Sequence, residues 1–130
     1  AKYFALRRMI PTSDLFTTRL AQERKNWRLE QPYGFSAKPI TREDQTIDMT
    51  RWICEIPGPK DTPWEEGSYK MILEFPPEYP LKPPKRQFQP YMPHPNVYSS
   101  GDVCSGMEEE WDPNTSVKQI LLDAQRLLKE

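Results

Sequence analysis

The chain has 130 residues and a formal net charge of −1. That length suits one domain with one hydrophobic core, and so small a charge creates no field that would attract nucleic acid or a membrane surface. No apolar run approaches the roughly 18 residues of a membrane span. Two cysteines and one histidine are too few for a structural zinc site, which takes four such ligands, so we expect no metal. A secreted domain of this size would usually carry more cysteines, so we expect both thiols to be free.

The first helix is predicted over residues 13–28, after an N-terminal extension of residues 1–12 that shows no hydrophobic period. Ser13 suits the N-cap, and Pro32 follows the helix as a stop signal. The apolar side chains of one helix face recur at four- and seven-residue spacings: Phe16, Leu20 and Trp27. We assign residues 13–130 to a single domain, because neither a linker nor an internal repeat divides them.

Four strand-like stretches come next, separated by turns rich in proline, glycine and charged residues. They are residues 35–40, 47–56, 69–75 and 86–88. Short strands in this local order favour an antiparallel meander. Cys54 alternates with outward-facing positions of the second strand, so we expect it to be a buried apolar side chain.

Prolines are concentrated between Pro57 and Pro95, and the chain has fifteen in all. That is more than twice the usual share of about 5%. Large aromatic rings lie among them, and disordered segments are poor in such rings, so we predict rigid, ordered loops. Much of residues 76–106 is expected to form one long loop, and a loop of that length in a compact domain is usually functional.

The last predicted element is a helix with Ser116 as its N-cap. Its apolar stripe consists of Val117, Ile120, Leu121, Ala124, Leu127 and Leu128. A helix, four strands, a long loop and a second helix together predict an α+β fold.

Cys104 lies in the long loop, ten residues after the only histidine. The residues leave three interpretations open: a small buried hydrophobe, a nucleophile activated by His94, or a thiol that accepts an acyl group as a thioester and passes it to an amine. The third needs no histidine, because a thioester is already activated, but it does need a hydrogen-bond donor for the oxyanion. Asn96 is the local candidate for that donor; alternatively, it is a turn residue that bonds its own backbone. Pro93 and Pro95 flank His94 and favour a structural imidazole.

The segment "HPNVYSSGDVC", residues 94–104, resembles the active-site segment of the ubiquitin-conjugating enzyme superfamily, in which the catalytic cysteine follows the asparagine by eight residues. Other segments keep the order found in that family: "RLAQERKNWR", "PYGF", "WICEIPGPKDTPWEEGSYK", "FPPEYPLKPPK" and "VKQILL". The details are most similar to the SUMO-conjugating branch. The resemblance extends from about residue 19 to residue 130.

The resemblance implies the fold of that family and its chemistry. Family members take a ubiquitin-like modifier from an activating enzyme as a cysteine thioester and transfer it to a substrate lysine. Cys104 matches the catalytic cysteine, Asn96 matches the oxyanion-stabilising asparagine, and His94 matches the structural histidine of the loop. The positions that match the acceptor-lysine groove are Lys85, Tyr98, Ser100 and Asp102. Those on the basic side of the first helix, implied to contact the modifier or the activating enzyme, are Arg19, Arg24, Lys25 and Arg28.

The resemblance also implies partners and a location. We expect SUMO or a related modifier, a SUMO-activating enzyme, ligases and lysine-bearing protein substrates as partners, with neither nucleic acid nor membrane among them. The chain itself is expected to use no cofactor, because the activating enzyme consumes the ATP. The expected location is the nucleus and cytoplasm. A conjugating enzyme for ubiquitin or another modifier, and a catalytically impaired binding variant of the fold, are the alternatives.

Three departures from the family pattern carry expectations of their own. Asp102 stands where the SUMO branch has a small hydroxyl residue, and its carboxylate should disfavour an acidic residue near the acceptor lysine. Glu108, Glu109 and Glu110 follow the cysteine closely and should raise the pKa of its thiol. The sequence given ends before the family's aspartate-bearing loop and C-terminal helices, either because the chain is truncated or its end is not represented, or because the protein does without them. If the protein lacks them, thioester formation is expected to survive, lysine transfer to be impaired and an apolar side of the last helix to be exposed.

Overall fold

A computed structural model describes residues 12–90, 93–103, 107 and 109–129. The elements in chain order are α1 (Thr12–Glu30), β1 (Ser36–Thr41), β2 (Ile47–Pro57), β3 (Ser68–Glu74), β4 (Lys85–Phe88) and α2 (Val117–Leu127). They confirm the predicted order of elements and the α+β fold, and the strand bounds agree with the predicted ones to within one residue. The cap prediction for α1 is wrong, because the helix begins at Thr12 and Ser13 lies within its first turn.

The four strands form one antiparallel sheet in the order β1-β2-β3-β4, which confirms the meander. From Trp52 onward β2 buries every second side chain, and its pairing with β3 places Trp52 opposite Leu73 and Cys54 opposite Met71. All four of these side chains are fully buried. Cys54 is therefore a core residue, as its alternation in the sequence predicted.

Both helices contribute to the core that covers the sheet. Leu20 and Trp27 of α1 are buried. The predicted stripe of α2 is buried throughout: Val117, Ile120, Leu121, Ala124, Leu127 and Leu128. Among the apolar side chains of α2, Leu122 is exposed. Within the part of the chain that the structure describes, neither helix is long and apolar enough to cross a membrane.

An ion pair on α1 connects this helix to α2 and the segment before it. Arg19 Nε lies 3.1 Å from Glu23 Oε2, and the guanidinium also donates to the carbonyl oxygens of Pro113 and Thr115. The other carboxylate oxygen of Glu23 accepts the backbone N–H of Val117 at 2.8 Å. Because the first N–H groups of a helix have no partner within the helix, Glu23 satisfies one of them from a distant element.

The proline-rich segment is ordered by ring packing in its described residues. Tyr79 is buried, and its ring centroid lies 4.6 Å from that of Phe75. Trp111 Nε1 donates to the carbonyl oxygen of Pro80 at 2.7 Å. These contacts show ordered packing in this segment and bring the segment before α2 against the loop between β3 and β4.

Candidate active site

A short hairpin of residues 97–103 adds to the outer edge of β4. Val97 and Val103 form an antiparallel bridge, and Asp102 bridges Gln87 of β4. Gly101 makes the turn with a φ of +92°, and a Cβ there would come within 2.3 Å of the Phe88 carbonyl oxygen. Only glycine meets both demands without strain. Sequence reasoning missed this hairpin, although the "SSG" tripeptide is a turn signal.

His94 and Asn96 connect the hairpin to the C-terminal end of α2. Nδ1 of His94 accepts the backbone N–H of Asn96 at 2.9 Å, and Nε2 lies 3.2 Å from the Leu128 carbonyl oxygen. Since Nδ1 must accept, Nε2 carries the proton and donates. Both ring nitrogens of this buried histidine are therefore engaged, which supports the structural interpretation over the role of a base.

Asn96 also anchors to α2 through its side chain. Its Nδ2 donates to the Leu127 carbonyl oxygen at 3.0 Å. The last carbonyls of a helix have no partner within the helix, so the two loop side chains satisfy two of them. Nδ2 carries two hydrogens, and this bond uses one of them. The predicted alternative of a local turn bond does not describe the side chain, because its acceptor lies 31 residues away.

The predicted acceptor-groove residues lie together. A groove of about 460 Å³ next to the hairpin is lined by Lys85, Tyr98 and Asp102 among other residues. Lys85 Nζ lies 3.7 Å from Asp102 Oδ1. Ser100 does not line the groove, but its hydroxyl donates to Asp102 Oδ2 at 2.9 Å. The structure thus brings all four residues to one side of the hairpin.

The predicted basic residues of α1 differ in their surroundings. Arg19 is engaged within the chain by the contacts given above, and Arg24 is half-buried with a guanidinium nitrogen 3.9 Å from the sulfur of Met49. Lys25 and Arg28 are exposed. Only the last two therefore present their full charge to solvent.

Cys104 and Glu108 lie outside the described residues, as do most of residues 1–12. Val103 immediately precedes Cys104, and consecutive Cα atoms are 3.80 Å apart. The other thiol, Cys54, is buried, and burial raises its pKa well above the ordinary range. Among the described residues, no group of three or more histidine, cysteine, aspartate or glutamate side chains could hold a metal ion.

Arg86 is a functional-site neighbour that sequence reasoning missed. Its backbone carbonyl accepts the N–H of Val103 at 3.2 Å, and its guanidinium crosses to Asp123 of α2 at 3.1 Å. The Arg86 side chain is only 3% exposed. Burial lowers the pKa of this guanidinium, while the Asp123 carboxylate opposes that shift. The alternation of buried and exposed positions along β4 could have predicted that Arg86 faces inward, but not that Asp123 is its partner.

Comparisons with known proteins agree with this geometry. The profile of the ubiquitin-conjugating enzyme family matches residues 19–130. The chain is 46% identical to the SUMO-conjugating enzyme UBC9 of Caenorhabditis elegans, over 89% of this chain and 72% of that protein. It is 47% identical to the SUMO-conjugating enzyme ubc9 of Dictyostelium discoideum, over 86% and 72%. The solved structure of human ubiquitin-conjugating enzyme E2 G1 superposes with a TM-score of 0.76 at 35% identity, covering 92% of this chain and 96% of that one.

Proposed function

Because this chain belongs to the ubiquitin-conjugating enzyme family, we propose that it is a SUMO-conjugating enzyme that carries SUMO as a thioester on Cys104 and transfers it to substrate lysines. The two SUMO-conjugating relatives support the choice of modifier. The anchored Asn96 supports the chemistry, because its loop pairs with the residue that directly precedes Cys104.

The proposed reaction has two acyl transfers. The Cys104 thiolate attacks the thioester carbonyl that joins SUMO to the activating enzyme; a new C–S bond forms, the old C–S bond breaks and the activating enzyme's cysteine leaves as a thiolate. A lysine amine then attacks the new thioester, a C–N bond forms, the amine loses its proton and Cys104 leaves as a thiolate. Each attack creates an oxyanion, and the second hydrogen of Asn96 Nδ2 is the proposed donor to it. Leu127 holds the amide in place, so little reorganisation is needed when charge develops.

His94 has a positioning role in this proposal. It holds the backbone of Asn96 from one side and the end of α2 from the other. Lysine deprotonation therefore needs another base or the desolvation of the amine, since both nitrogens of His94 are engaged.

The proposed partners follow from the reaction. A SUMO-activating enzyme supplies the thioester and consumes ATP, so this chain needs no cofactor of its own. Lysine-bearing proteins are the acceptors, and ligases bring them to the enzyme in the nucleus and cytoplasm. The exposed Lys25 and Arg28, with the half-buried Arg24, are proposed contacts for the modifier or the activating enzyme.

A charging assay tests the proposal. The protein is incubated with ATP, SUMO-activating enzyme and SUMO, and in parallel with the ubiquitin-activating enzyme and ubiquitin, and is run on a gel without reductant. We expect a reductant-sensitive SUMO adduct that Cys104→Ala loses. Cys54→Ala is the matched thiol control and should keep the adduct. A ubiquitin adduct alone would favour the ubiquitin-conjugating alternative, which the 35% identity to E2 G1 supports, and no adduct in either set would contradict the proposed activity.

A further inference from the structure

The groove beside the hairpin has apolar walls and a charged rim. Pro76, Pro84, Val103 and Met107 contribute apolar surface, and the ionisable side chains among its lining residues are Glu74, Lys85, Arg86 and Asp102. Arg86 is paired with Asp123 below the groove and is almost fully buried. Among the lining residues that the structure describes, the charges that an incoming peptide meets are therefore those of Glu74, Lys85 and Asp102.

These three side chains belong to a row of alternating positive and negative charges that crosses the sheet. Arg51 Nε of β2 lies 3.6 Å from Glu74 Oε2 of β3, and Glu74 is the register partner of Lys85 on β4. Lys85 in turn lies 3.7 Å from Asp102 on the hairpin. Lys85 thus forms an ion pair with Asp102 on one side, and its register partner on the other side is a second acidic residue, Glu74.

Asp102 is held in this position by the hairpin. The Ser100 hydroxyl donates to Asp102 Oδ2 at 2.9 Å, and Ser100 Oγ accepts the backbone N–H of Asp102 at 3.3 Å. The backbone is fixed as well, because the Asp102 carbonyl oxygen accepts the N–H of Tyr98 at 2.9 Å. A carboxylate bonded in this way cannot swing out of the groove without losing these contacts, so it stays beside Lys85.

The rim therefore has two carboxylates and one ammonium group. An acidic peptide residue placed there finds Lys85 already paired and meets the like charges of Glu74 and Asp102. A basic residue finds two carboxylates. Complementary charge sets which partner an interface accepts, and like charges brought together exclude the wrong one.

We propose that this groove selects acceptor lysines whose flanking residues are basic or neutral and disfavours acidic flanks, with Asp102 as the specificity-determining residue. The identity of the bound peptide as a conjugation acceptor rests on the proposed function. The charge preference itself is a property of the groove and is measurable without any transfer chemistry.

The first measurement is peptide binding to the uncharged protein. Three fluorescent peptides share one sequence with a central lysine and differ only in its flanking residues, which are Glu, Gln or Arg. At low ionic strength we expect the Arg peptide to bind roughly fivefold more tightly than the Glu peptide, which is the upper range for an exposed ion pair. The difference should shrink as salt is added, because exposed charges are screened.

Asp102→Asn is the decisive variant. It keeps the size of the side chain and an oxygen for the Ser100 hydroxyl, and it removes the charge beside Lys85. We expect the preference for Arg over Glu to fall to about twofold or less, or to reverse, since Lys85 then no longer faces the Asp102 carboxylate. Glu43→Gln is the matched control: it makes the same change in net charge at an exposed site in the β1–β2 turn, and the preference should not change.

The second measurement is single-turnover transfer from the SUMO thioester to the same three peptides. The order of transfer rates should follow the order of binding. A Glu peptide that binds best to the wild-type protein, equal binding of all three peptides, no binding of any, or an unchanged preference in Asp102→Asn would overturn the inference. Failure to form the SUMO thioester would overturn the proposed function instead, and the binding order would still decide the inference.

Discussion

The two cysteines of this chain lie in different segments of the sequence: Cys54 lies in β2, and Cys104 follows the hairpin and lies outside the described residues. Cys54 is completely buried on the core face of β2. The thiolate is the reactive form of cysteine, and burial raises the pKa of Cys54, so this side chain stays a protonated, inert thiol at physiological pH. The proposed acyl transfer is therefore assigned to Cys104.

Alkylation distinguishes the two thiols. With iodoacetamide under native conditions near neutral pH, we expect mass mapping to find the label on Cys104 and not on Cys54. In urea both should be labelled, because unfolding removes the burial that protects Cys54. Native labelling of Cys54 at the rate of Cys104 would contradict the core placement.

Asn96 is the residue for which structural and catalytic roles must be separated. Asn96→Ala removes the bond to Leu127 and the proposed oxyanion donor together. We expect the free energy of unfolding to fall by about 1 kcal/mol, and the rate of SUMO transfer to lysine to fall by about 10²–10³. Chemical denaturation and single-turnover discharge measure the two effects.

Gln125→Ala is the control for this change. Gln125 Nε2 donates to the Pro57 carbonyl oxygen at 3.1 Å, so it also joins an amide side chain to a distant carbonyl, but away from the hairpin. A similar loss of stability with normal transfer is expected. Equal slowing in both variants would reduce Asn96 to a purely structural residue.

At the scale of elements, α2 receives support at both ends from other parts of the chain. Its N-terminus has a capping box within the helix, formed by Ser116 and Gln119, and a further acceptor from Glu23 of α1. Its C-terminal carbonyls accept hydrogen bonds from His94 and Asn96. The helix thereby sets the position of the active-site loop relative to α1.

We expect the hydrogen bond from Val117 to Glu23 to stabilise the protein more than the local cap formed by Ser116. Ser116→Ala should lower the free energy of unfolding by about 1 kcal/mol. Glu23→Ala leaves the buried N–H of Val117 without its acceptor and Arg19 without its carboxylate, so a loss of about 1–3 kcal/mol is expected. Urea unfolding followed by circular dichroism measures both.

Glu23→Gln tests which interaction matters. Glutamine keeps an oxygen for Val117 and loses only the charge next to Arg19. It should therefore be milder than Glu23→Ala. If the two variants are equally unstable, the ion pair dominates and the cap contributes little.

At the scale of the whole molecule, the Arg86–Asp123 pair joins the sheet to α2 directly beneath the active-site hairpin. Desolvating a guanidinium is costly, and removing one partner of a buried pair leaves the other charge uncompensated. Because Arg86 also holds Val103 through its carbonyl, the same residue connects the core to the segment that leads to Cys104.

A double-mutant cycle measures this connection. Arg86→Ala should lower the free energy of unfolding by about 1–3 kcal/mol, because the Asp123 carboxylate that it leaves is 32% exposed and still paired with Arg126. The coupling energy between Arg86→Ala and Asp123→Ala should be about 1–2 kcal/mol. The exposed pair Arg51 and Glu74 is the control, and its coupling should be below about 1 kcal/mol. Equal coupling in the two cycles would show that burial adds nothing to the Arg86 pair.

Local patterns were sufficient to predict the elements and their order. Alternation in β2 predicted the burial of Cys54, and the apolar spacing after Ser116 predicted both the cap and the buried face of α2. These features depend on residues close in sequence, so period and turn chemistry determine them. The residues H-P-N followed by a cysteine, together with several other segments in the family's order, were sufficient to identify the family. The core that covers the apolar stripe of α2 includes residues of the sheet and of α1, and the sequence of α2 alone does not reveal which elements those are.

Only the tertiary structure determined the partners of the charged and polar side chains. Glu23 reads as a surface residue in its helix, yet it is buried against α2; Arg86 lies within a short polar strand, yet it reaches Asp123. The pairing of Lys85 with Asp102 likewise depends on a hairpin that folds back along β4. A polar group buried by folding must find a partner, and that partner lies wherever the chain returns in space. Sequence spacing therefore located the reactive loop and the family, while the tertiary structure determined which charges face an acceptor peptide.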